Sequence, residues 1–92
     1  MEKITLDRVC KTIYNRNWRE IDPAIEKGIP RVRYSFRDFE KDVMADELIA
    51  SRLTARCKWV ALTAKGVIVE DGRNASIDIE MLRETCGKRW AA

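Results

Sequence analysis

Ninety-two residues, 46% hydrophobic and 36% charged, are enough for one modest core, and the chain reads as a single domain over 1–92. That balance is too apolar for disorder, and no apolar stretch approaches the length a bilayer or a signal peptide demands; the three cysteines, odd in number and far apart, read as reduced, partly buried small apolar residues, so the expected setting is the cytoplasm. Histidine is absent and Cys10, Cys57 and Cys86 are scattered, which excludes a Cys/His zinc site, a Ser–His–Asp triad and a Cys–His dyad; no catalytic residue, metal site or cofactor is expected, and the protein does not read as an enzyme.

In chain order, Leu6, Val9, Cys10 and Ile13 follow helical spacing, with Thr5 as N-cap and Asn15 as stop, and predict a helix over 6–14. Asp22-Pro23 and Gly28 frame a second, short helix whose buried side is Trp18, Ile21 and Ile25. Ile29 to Tyr34 alternates apolar and basic residues behind Pro30, an edge strand with Val32 and Tyr34 inward. Ser35 and Asp38 form a capping box that opens a helix carrying Phe36, Phe39, Val43 and Leu48. The helical pattern breaks near Ile49 to Ser51 and resumes through Gly66. Val67–Glu70 and Ala75–Ile79 flank Asp71-Gly72-Arg73-Asn74, a hairpin signal, and Met81, Leu82 and Cys86 mark a closing helix that stops at Gly87. Trp59 to Leu62 has a second reading, as a strand leading into Val67–Val69, which would give a three-stranded meander packed on helices.

Net charge is only +3, but its distribution is uneven. Between Glu47 and Glu70 there is no acidic residue, while Arg52, Arg56, Lys58 and Lys65 all fall there. Such a basic island can attract an anion locally. Asp38, Glu40, Asp42, Asp46 and Glu47 before it read as a solvated face, and Arg31, Arg33 and Arg37 as either a phosphate patch or a charged strand edge.

The stretch from Met44 to Ile68 resembles a winged helix-turn-helix domain of small bacterial and phage transcription regulators. Met44-Ala45 would open the supporting helix and Leu48 close it. Ser51 would cap the recognition helix, which Thr54-Ala55 begin and Trp59 and Leu62 anchor. Lys65-Gly66-Val67-Ile68 would lead into the wing. The resemblance implies a mostly α fold with a small β-hairpin (α+β), in the order helix, short helix, edge strand, helix, helix, hairpin, short helix. It further implies binding to double-stranded DNA, with the 52–60 helix in the major groove. Arg52, Thr54 and Arg56 would face base edges, Arg56 as a bidentate guanine contact. Ser51, Lys58 and Lys65 would meet phosphates, and Arg73 and Asn74 at the hairpin tip the backbone or a minor groove. Regulators of this class act as dimers, which points to a homodimer through the first or last helix. Ile49 stands where the family carries Gly or Asn. Leu53 and Val60 are apolar on the outward face, a feature that fits a competing role as a protein-binding adaptor or inhibitor.

Overall fold

The computed structural model describes residues 5–46 and 52–86, and of 52–54 only the backbone. Among these residues four helices and a three-stranded antiparallel sheet make a compact α+β fold. The elements are α1 (Leu6–Glu26), β1 (Arg31–Arg33), α2 (Phe36–Val43), α3 (Arg52–Lys65), β2 (Ile68–Asp71), β3 (Asn74–Asp78) and α4 (Ile79–Cys86). In the sheet β3 lies between β1 and β2, so the first strand joins the far side of the hairpin. Val32, Ile77 and Ile68 sit in one row across it and face the helices. No helix among the described residues is long and apolar enough to cross a membrane.

The two N-terminal helices are one. Thr5 caps α1 as expected, its hydroxyl accepting the Arg8 N–H, but Asn15 does not stop it and Pro23 lies inside it. The apolar stripe Val9, Cys10, Ile13 runs on to Ile21 and Ala24 through Asn17, which sits where the next apolar residue would fall. The Asn17 amide donates to the Ile13 carbonyl and to Asp42, both at 2.8 Å, so a polar residue fills a core-facing position with its bonds satisfied. Asp22, expected as a cap, instead accepts the Tyr14 hydroxyl at 2.8 Å. A continuous helix also turns Trp18 outward: it is 47% exposed, with the Arg19 guanidinium 5.4 Å from its ring, and does not belong to the core.

The capping box at Ser35 and Asp38 forms as predicted. The helix it opens, however, ends at Val43. Met44 to Asp46 form a turn closed by bonds from the Ala45 and Asp46 N–H groups to the Asp42 and Val43 carbonyls, and both Met44 and Ala45 are exposed. Met44-Ala45 therefore do not open a supporting helix. Leu48, Ile49 and Ser51 lie outside the described residues. Two acidic side chains near this helix end, Asp42 and Asp46, are drawn back to α1. Asp46 takes both arms of the Arg8 guanidinium, at 3.0 and 3.1 Å, and Asp42 is only 8% exposed. Neither belongs to a solvated acidic face.

Asp42 anchors a buried network. Its Oδ2 accepts from the Tyr34 hydroxyl at 2.6 Å and from Asn17, and Arg16 lies 3.8 Å from its other oxygen. Burial, then the bond to Asp42, push the Tyr34 phenol far above its ordinary value of 10.0. The unfolded chain ionises this group near pH 10 and the folded chain does not, so its contribution is intact below that pH and is lost above it, with a limiting slope of about 1.4 kcal/mol per pH unit. Urea unfolding at pH 8 and about pH 11 checks this: Tyr34→Phe removes that share of the alkaline loss.

Trp59 to Leu62 are helical, which excludes the meander reading over those residues. Gly66 (φ +86°) ends α3 in the left-handed conformation, the N–H groups of Gly66 and Val67 bonding back to the Thr63 and Leu62 carbonyls while Val67 and Leu62 are both fully buried. The hairpin forms with a tighter loop than the sequence marks. Asp71 and Asn74 pair, leaving Gly72-Arg73 as a two-residue turn with positive φ at Gly72 alone. Glycine first of the two central residues is the type II′ pattern, which suits the strand twist. Ile79, expected to end a strand, begins α4 instead, because the Asp78 carboxylate accepts the Met81 N–H and caps it.

Candidate nucleic-acid interface

Ala55, Trp59 and Leu62 bury one face of α3, one turn apart, as the sequence predicts. Trp59 closes an aromatic cluster in which the Phe36 and Phe39 rings each lie 5.4 Å from it and Tyr34 6.4 Å. The capping box sets the start of α2, which brings Phe36 beside α3. The Arg56 guanidinium then stacks on the outer side of Phe36, 4.3 Å from the ring centroid. Stacking occupies the flat face of a guanidinium and leaves its in-plane N–H donors for another acceptor.

At 100° per residue, the crest of α3 opposite its buried face carries Cys57, Val60 and Ala64, with Leu53 in register. Cys57, Val60 and Ala64 are exposed, Val60 to 59%. Arg56 lies on one flank of that crest, with Arg52 in register one turn earlier. Half-buried Lys58 and exposed Lys65 lie on the other flank. The predicted basic residues of α3 thus form two flanks around an apolar crest rather than one continuous basic face. α3 has no acidic residue in its first turn. Ser51 lies outside the described residues, and Arg52 and Thr54 are placed by backbone alone.

At the other end of the candidate surface, Arg73 is exposed at the hairpin tip and Asn74 is exposed as the first residue of β3. The Asn74 side-chain oxygen accepts from Arg33 on β1 at 3.5 Å, a contact that the sequence separation of the two residues conceals. Arg31 and Arg33 share the outward face of the sheet with Val69, Asp71 and Ser76 around a shallow open hollow. Arg31 is 3.9 Å from Asp78. Part of the charge on this face is therefore spent within the sheet, and the hairpin tip keeps Arg73 as its outward cation. Among the described residues, no three Cys, Asp or Glu side chains gather where they would hold a metal ion.

No family model matches this chain, and neither a curated protein nor a solved structure does.

Proposed function

We propose that this chain is a winged helix-turn-helix domain that binds double-stranded DNA, a small regulator of transcription of bacterial or phage type. The observation that carries the reading is the order of elements: helix, strand, two helices, then a hairpin whose second strand pairs with the earlier strand. The charge arrangement around α3 supports it. Asp42 and Asp46, the described acids nearest before that helix, are engaged by Asn17, Tyr34 and Arg8 rather than presented beside it.

In this reading α3 enters the major groove with its apolar crest against the groove floor, where Val60 and Ala64 suit thymine methyl groups. Arg56, held on Phe36 with its donors free, reaches a guanine edge from one flank. Lys58 and Lys65 meet phosphates from the other, and Arg73 touches the backbone beyond the wing. Occupancy of the site is the mechanism.

Fluorescence anisotropy of a labelled generic duplex, titrated at about 50 mM and about 200 mM salt, tests the reading. Measurable binding that falls steeply with salt is expected, and Lys65→Ala reduces the salt slope by about 1. Failure of micromolar protein to bind at low salt overturns it. Val60, exposed on a crest of Cys57 and Ala64, then favours the second reading, a protein-binding module that uses this face. In that case Val60→Asp abolishes partner capture while the fold persists.

A further inference from the structure

β3 is paired on both sides, so the open edges of the sheet belong to β1 and β2. Along β1 the Tyr34 N–H bonds to the Ala75 carbonyl, and the Pro30 carbonyl accepts the Ile79 N–H. Bonding direction alternates along an antiparallel ladder, so Val32 also faces β3 while the N–H and C=O groups of Arg31 and Arg33 point to the open edge. No turn, loop or cap bond among the described residues takes up those groups. A proline commonly guards an edge by withholding a donor, but Pro30 bonds toward β3 and its missing N–H falls on that side.

We propose that the open edge of β1 is a docking site for an extended acidic segment of another protein, which adds as an antiparallel fourth strand with acidic and apolar residues in alternation. The site lies on the sheet and does not rest on what α3 binds.

Charge selects the occupant. Arg31 and Arg33 are exposed and share the outward face, whereas Val32 between them is half-buried and packs on the core. Arg33 bonds at 3.5 Å to Asn74, which carries no charge to offset it. Asp78 offsets Arg31 only in part, at 3.9 Å and with half of the arginine side chain in solvent. In an added strand, the residues opposite Arg31 and Arg33 share their face, so a carboxylate there meets a guanidinium. The residue between them falls beside Val32 on the helix side, where an apolar side chain extends the core. A second copy of β1 in that place would set arginine against arginine, which disfavours self-pairing and favours a strand that bears acids. Nucleic-acid phosphates would use the two guanidinium groups but leave the open backbone groups without partners. A strand satisfies both, its main-chain bonds supplying affinity and its alternating side chains selectivity.

The test titrates the full-length protein with a fluorescent peptide of about eight residues alternating Glu and Val. Saturable binding is expected, with slowed hydrogen exchange at the Arg31 and Arg33 amides. N-methylation of the Glu amides, which face β1, abolishes binding, while N-methylation of the Val amides, which face away, leaves it. These peptides probe the unaltered chain, so the outcome does not hang on a variant folding. Arg31→Glu combined with Arg33→Glu weakens binding by about tenfold and admits a peptide alternating Lys and Val instead. The proposal is overturned if peptide at about 1 mM does not bind. Equal binding of the peptide methylated at Glu also overturns it, since charge alone would then act, as does protection at Ile68 and Glu70 on the β2 edge instead. Loss of duplex DNA affinity but not of peptide affinity in the double variant would assign the arginines to phosphates and overturn it too. So would self-association of the wild-type chain that the double variant abolishes, which would give the edge to a second copy.

Discussion

Asp42→Ala is expected to destabilise the domain by roughly 2–4 kcal/mol, most of it from polar groups left stranded in the interior. The carboxylate is 8% exposed and accepts the Tyr34 hydroxyl at 2.6 Å and the Asn17 amide at 2.8 Å. Alanine leaves both donors facing a cavity, and each buried unsatisfied group costs about 1–3 kcal/mol. Arg16 adds little, because it stands 3.8 Å away with half of its side chain in solvent. A domain of this size has a total stability of about 5–14 kcal/mol, so this one change removes a large share of it. The urea midpoint falls with an unchanged slope, and the thermal midpoint drops by about 4–8 °C for each kcal/mol lost. Asp42→Asn keeps an acceptor for Tyr34 and gives a smaller loss. If the two substitutions cost the same, the charge rather than the hydrogen bonds holds the network together.

The same carboxylate shows what the sequence could and could not disclose. Features whose partners are neighbours in the chain were legible: the Ser35–Asp38 capping box, the glycine that ends α3, the apolar face of Ala55, Trp59 and Leu62, and the hairpin at Asp71-Gly72. Each depends on spacings of a few residues. Asp42 and Asp46 looked like solvated acids because the groups that bind them, Asn17 and Arg8, are 25 and 38 positions away. Asn15, read as the stop of the first helix, instead lies exposed within α1. A polar residue followed by an Asp-Pro pair reads as a stop and a new start, so the single α1, with Pro23 inside it, appeared as two. The split of the α3 cations around an apolar crest was already present in the helical spacing, since Arg56 and Lys58 are two residues apart and so lie on nearly opposite sides. The stacking of Arg56 on Phe36 was not, because it depends on where α2 starts relative to α3 in space.

That stacking gives Trp59→Ala its interest beyond stability. Trp59 is 4% exposed and contacts Tyr34, Phe36 and Phe39, so truncation should cost roughly 3–5 kcal/mol, the largest loss expected from any single side chain discussed here. Denaturant unfolding measures it. Phe36 is only half-buried and rests edge-on against the Trp59 ring, so removing the indole loosens the shelf on which Arg56 lies. Arg56→Ala alone forfeits a surface cation–π contact of about 0.5–1 kcal/mol. In a Trp59→Ala background that contact has already weakened, so the two changes should sum to less than their separate costs. Additive costs would mean that Phe36 keeps its place without Trp59, and that the position of Arg56 is set by α2 alone. Sub-additive costs would tie the most specific side chain of the proposed DNA-reading helix to the hydrophobic core beneath it.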